Sequence, residues 1–166
     1  MNIGISTCLA GVNCTYKGTH NFIKGLDKFI EDYDGQVIMA CPEVLGGLSI
    51  PRPPAEIQCQ NPLLIKNIQD GDVTNEYQRG ACTALNIFLE NHVDVALLKF
   101  RSPSCGNDGI YDGTFSHILI EGKGIFAKLL EDHGIKVFNE NQIDEFLKYI
   151  GKEDVYGTYF KDQTSI

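Results

Sequence analysis

Basic residues are scarce in this chain of 166 residues: 14 Lys+Arg stand against 22 Asp+Glu, a formal net charge of −8. Phosphate neutralisation supplies most nucleic-acid affinity, so a long duplex or RNA is not an expected partner. No apolar run approaches the roughly 20 residues that cross a bilayer. Residues 1–5 also lack the basic flank and long apolar stretch of a secretory signal, so no membrane partner is expected and the expected location is cytoplasmic. Repeats, low-complexity tracts and long linkers are absent. So is any C-x-x-C pair, the usual sign of a structural zinc site. What remains is an ordinary globular composition, 43% hydrophobic and 22% charged. At roughly 150 residues per domain it predicts a single domain over residues 1–150 with a polar tail at 151–166.

The pattern of apolar residues predicts alternating strands and helices. Short apolar strands are expected at 2–6, 37–40, 94–99 and 136–138, with an edge strand at 63–68. Helical spacing covers 22–33, 74–91 with Thr74 as N-cap, 124–133 and 143–149. The stretch 45–54, punctuated by Gly46, Gly47, Pro51, Pro53 and Pro54, reads as irregular and therefore functional or stiff. Strands separated by helices predict an α/β fold: an open, mostly parallel sheet with helices on both faces, a Rossmann-like arrangement. Ligands of such sheets sit outside the carboxyl ends of the strands.

Six cysteines are the unusual number. Cys8 follows the first strand, Cys41 the second, and Cys105 lies just beyond the strand at 94–99. Three thiols distant in sequence thus arrive at one edge of one sheet. Cys59 and Cys82 read as packing residues, and Cys14 as a spare ligand, a sulfur relay or packing. Three readings of the trio stay open on spacing alone. They are buried apolar groups, a zinc or redox-sensing module without catalysis, or an iron–sulfur cluster whose missing fourth protein ligand leaves one iron open.

The segments ISTCLAGVNCTYKG, ACPEVLGGLSIPRPPAEI, LLKFRSPSCG and GIYDGTF resemble the signatures of the domain of unknown function 523 family, some members of which are thiouracil desulfidases. The likeness spans residues 2 to about 140. It implies an enzyme in which Cys8, Cys41 and Cys105 hold a [4Fe-4S] cluster and Glu43 and Ser102 are catalytic. Sulfur would be removed from a thiolated pyrimidine by non-redox hydrolytic cleavage of the C–S bond, with the sulfur bound to the open iron. The partner implied is a small thiolated base or nucleoside. Arg52, Glu56, Lys99 and Ser104 are the residues expected to bind it, with Arg52 and Glu56 either paired or orienting the substrate. The chain departs from the family pattern at Thr15 and Lys17, where Arg and Asp are frequent, and at His117, where Gly is common.

Overall fold

The computed structural model describes residues 1–164. In chain order its strands and helices are β1 (Asn2–Ser6), α1 (Leu26–Asp32), β2 (Val37–Ala40), α2 (Pro42–Leu45), β3 (Ala55–Gln60), β4 (Leu63–Asn67), α3 (Thr74–Glu90), β5 (Val93–Leu98), β6 (Ile110–Tyr111), β7 (Leu119–Ile120), α4 (Ile125–Asp132), β8 (Lys136–Asn139), α5 (Ile143–Tyr149) and α6 (Glu153–Tyr156). A 3₁₀ turn, Thr7–Ala10, follows β1 and another, Gly157–Thr164, follows α6.

Four strands form a parallel sheet in the order β2-β1-β5-β8. Alternation along β1 and β5 sends Ile3, Ile5, Val95 and Leu97 to one face, where α1, α5 and α6 cover them with Leu26, Phe29, Phe146 and Tyr156. Ala96 and Leu98 point the other way, toward Ala81, Ala84 and Phe88 of α3 and Phe126 of α4. Gly4 lies under Phe88, and a side chain there would overlap the ring. The sheet is therefore buried on both sides, as the near-continuous apolar runs of its strands require. Because β2 and β5 flank β1 with their connections on opposite faces, the strand order reverses between β1 and β5. That crevice is where open α/β sheets take their ligands.

Several elements differ from the sequence-based expectation. The first helix begins at Leu26 rather than near Phe22, because Gly25 takes the left-handed conformation (φ 92°) just before it. Thr74 is the first helical residue of α3, not its N-cap. Its hydroxyl accepts from the Ile65 amide at 2.9 Å, while Asp72 Oδ1 takes the Thr74 amide at 3.0 Å. The 63–68 strand ends at Asn67 and pairs antiparallel with β3, outside the main sheet. Cys59 and Cys82, expected to pack, are both exposed. Beyond Gly151 the chain is more than a polar tail, since Tyr156 and Phe160 are buried in the Phe29 cluster.

Candidate functional site

Each thiol is presented by a turn that the local sequence dictates. Cys8 sits in the 3₁₀ turn after β1, closed by left-handed Gly11. Cys41 ends β2 in extended conformation, and Pro42, which needs no amide partner at the first helical position, starts α2 directly after it. The Val44 amide then donates to the Cys41 sulfur. Cys105 lies in a tight turn in which Ser102 Oγ accepts from the amides of Ser104 and Cys105, both at 3.1 Å. Gly106 lets this turn close, since a side chain there would crowd the Ser102 and Gly109 carbonyl oxygens.

The three turns open on one cavity of 620 Å³ at the β1/β5 crevice, which Cys8, Cys14, Cys41 and Cys105 all line. Glu43, Ser102, Arg52, Glu56 and Lys99 line it as well. Ser104 is fully buried and stands behind the wall.

The thiols sense one another. Cys14 is within hydrogen-bonding reach of both Cys8 and Cys41. Donation from Cys14 holds the Cys41 thiol at about 7, below its ordinary 9.0, against the opposing effect of burial. The same donor lowers Cys8, helped by a hydrogen bond from Asn21. Cys14 itself is pushed up, chiefly by its bond to Cys41. Burial pushes Cys105 up, with a Ser6 hydrogen bond working the other way. Both shifts run toward the thiolate, the form that binds metal. Among the described residues no three His, Cys, Asp or Glu side chains converge where one metal ion could sit. Cys8, Cys41 and Cys105 line one cavity, and the charges of Cys8 and Cys41 are felt at Cys105; a set of thiols gathered in this way has the chemistry that iron–sulfur clusters use.

Beside the thiols lies a fixed carboxylate. Tyr77 donates to Glu43 Oε1 at 2.6 Å, and Arg52 Nε approaches the same oxygen at 3.4 Å. Ser104 donates to Oε2 at 3.0 Å, and Ser102 Oγ lies 3.4 Å from it. Burial, then the Glu43 charge, pushes the Tyr77 phenol well up, so it remains a donor. Arg52 does not pair with Glu56. It pairs with Glu43, and its Nη2 and Nη1 donate to the carbonyls of Cys14 (2.9 Å) and Ser49 (3.1 Å). Glu56 instead accepts the Gly113 and Phe115 amides on Oε1, at 3.0 and 3.1 Å. Lys99 Nζ pairs with Glu140 at 3.3 Å.

Two glycines place the carboxylate. A side chain at Gly80 of α3 would overlap the Pro42 carbonyl oxygen, and one at Gly46 would overlap the Glu76 carbonyl oxygen. The backbones of α2 and α3 therefore touch, which brings Glu43 and Tyr77 together. Tyr77, Asn21 and Ser6 escape a reading of the sequence for catalytic types. Tyr77 alone carries a signal there, a phenol within an apolar helical stripe that must find a partner once buried.

The model of the 2-thiouracil desulfurase family matches residues 3–142. The chain belongs to that family. Among its relatives, the uncharacterized protein YbbK of Bacillus subtilis (strain 168) is 38% identical over 150 residues, 86% of this chain and 98% of YbbK. A similar solved structure is that of the [4Fe-4S]-dependent thiouracil desulfidase TudS, with a TM-score of 0.83 and 39% identity over 90% of this chain and 97% of that one. The 2-thiouracil desulfurase match spans every residue of the cavity named above and the four strands of the main sheet but for Asn2, while α5 and α6 lie beyond it.

Proposed function

We propose that this chain is an iron–sulfur-dependent desulfidase that converts a thiocarbonyl on a free pyrimidine base or nucleoside to the oxo form, releasing sulfide. The observation that carries the reading is the juxtaposition of three cavity-facing thiols, from three strand ends, with a carboxylate held on both oxygens. Membership of the 2-thiouracil desulfurase family and likeness to TudS support it. Cys8, Cys41 and Cys105 would hold a [4Fe-4S] cluster in this reading, three free thiols lining one cavity being the donor set such a core takes. When bound, the cluster supplies an iron without a protein ligand, a Lewis acid with affinity for sulfur.

The chain's own residues do the remaining work. Glu43 takes one proton of the water that adds to the thiocarbonyl carbon and returns it to the sulfur as the C–S bond breaks. The remaining hydroxyl proton leaves to solvent as the C=O bond forms, so water and thiocarbonyl become oxo base and sulfide with no net electron transfer. Tyr77, Arg52 and Ser104 fix Glu43 in one orientation, which avoids reorganisation during the reaction. Ser102 holds the water or the ring oxygen with its hydroxyl. Lys99, paired at the rim, and Glu56, on the opposite wall, complete the substrate pocket. A net charge of −8 favours a small substrate over one embedded in an RNA backbone. The six free thiols suit a reducing cytoplasm, and no helix among the described residues is long and apolar enough to cross a membrane.

The test is anaerobic reconstitution followed by incubation with a panel of thiouracils and thiouridines. Formation of the oxo product with equimolar sulfide supports the proposal. A brown, cluster-loaded protein that turns over none of them overturns it.

A further inference from the structure

Tyr111 at the end of β6, with Phe115 and His117 of the short loop that joins β6 to β7, lines the cavity. The loop's backbone is unusual. Phe115 and His117 both adopt the left-handed conformation (φ 58°), as does Gly113 (φ 95°). Bulky residues occupy that region only when their surroundings compel it. The compelling contact is visible. Glu56, buried in β3, receives the amides of Gly113 and Phe115 on one carboxylate oxygen. Gln58 Nε2 donates to the Gly113 carbonyl at 2.9 Å, and Asp112 pairs back to Ile118 at 2.9 Å.

We propose that this loop is a pre-formed stacking wall for the heteroaromatic ring of the substrate, with Phe115 as the residue that contacts the ring and Glu56 as the positioning residue that pins it. Deepening the desulfidase reading, this rests on it for the identity of the ring. A half-buried phenyl that lines the cavity offers an apolar face to a flat base, and offset stacking on it favours ring binding without touching the C–S bond. The wall therefore acts on substrate affinity rather than on the chemical step. His117, edge-on to Tyr111 with centroids 5.6 Å apart, extends the wall.

The experiment uses anaerobically loaded Glu56→Ala, Glu56→Gln, Phe115→Ala and Phe115→Tyr. Amide exchange across residues 110–118 is followed by mass spectrometry, and kcat and KM are measured with a thiouracil. Glu56→Ala should speed exchange of this segment by about tenfold or more, whereas Glu56→Gln, which keeps an acceptor oxygen, should stay near wild type. Phe115→Ala should raise KM about tenfold with kcat little changed, and Phe115→Tyr should restore it. Unchanged exchange in Glu56→Ala overturns the anchor. Loss of kcat with unchanged KM in Phe115→Ala overturns the wall. The exchange arm needs no substrate, so it stands or falls separately from the desulfidase reading. A wild-type enzyme inert toward every thiopyrimidine overturns that reading, and with it the ring as the wall's occupant.

Discussion

Removing the Tyr77 hydroxyl probes the carboxylate's setting with the smallest possible change. Tyr77→Phe deletes one oxygen and leaves the ring in the Ile57, Ile65 and Ile110 cluster. The lost bond is the shortest of those holding Glu43, 2.6 Å, while the Arg52 Nε contact to the same oxygen is longer at 3.4 Å. A hydrogen bond to a charged group contributes about 1.5–3 kcal/mol. If the bond is kept through the transition state, a tenfold change per 1.36 kcal/mol gives a fall in kcat/KM of roughly 10- to 150-fold. The same loss applied to stability lowers Tm by roughly 3–12 °C for a chain of this size. Both are read on anaerobically loaded protein, turnover from the absorbance of the thiocarbonyl and Tm from far-UV dichroism, with iron and sulfide measured on each sample. A variant with full cluster content, unchanged Tm and kcat/KM within about twofold of wild type would refute the idea that Tyr77 orients Glu43.

Three further outcomes follow from the same geometry. Glu43→Ala should keep iron and sulfide but lose about 10²–10⁴-fold in kcat, the usual worth of a positioned acid–base group, as measured by sulfide release. Gly80→Ala forces a methyl group into the Pro42 carbonyl oxygen. It should cost about 1–3 kcal/mol, seen as a lower Tm, and should reduce iron retention because Cys41 moves with Pro42. In the metal-free protein, thiolate at Cys41 should rise through pH 7. Alkylation of Cys41 followed by peptide mass spectrometry should therefore be half-maximal near that pH, with Cys105 reacting only at higher pH because burial keeps it protonated. A Cys41 midpoint at the ordinary 9.0 contradicts the proposed role of Cys14 as its donor.

The central sheet was legible because its strands are brief apolar runs between glycine- and proline-marked turns. β1, β2 and α5 have the bounds that periodicity predicts. β3 was not legible, since Ala55–Gln60 mixes two exposed polar residues with Cys59 and pairs only with β4 through a bulge near Ile57. The convergence of Cys8, Cys41 and Cys105 could be read from strand ends alone, because a parallel sheet sends all carboxyl ends to one edge. Partners across the site could not. Arg52 lies nine residues from Glu43 with no periodic relation to it, and it is set by the segment after α2, whose Arg52 amide donates to the Tyr16 carbonyl at 2.9 Å. Ser104 is expected from the sequence to bind substrate, and only its burial and its 3.0 Å bond to Glu43 Oε2 reveal it as a brace for that carboxylate. Backbone close approach at Gly46 and Gly80 has no sequence signature beyond the glycines themselves.

The account stands most directly on metal and sulfide analysis of the anaerobically prepared protein, alongside Cys8→Ser, Cys41→Ser and Cys105→Ser. Iron and acid-labile sulfide at about four each per wild-type chain, and their loss in all three variants, is the expected result. Iron and sulfide near zero after anaerobic reconstitution, or a full complement retained when Cys105 is replaced, would contradict it.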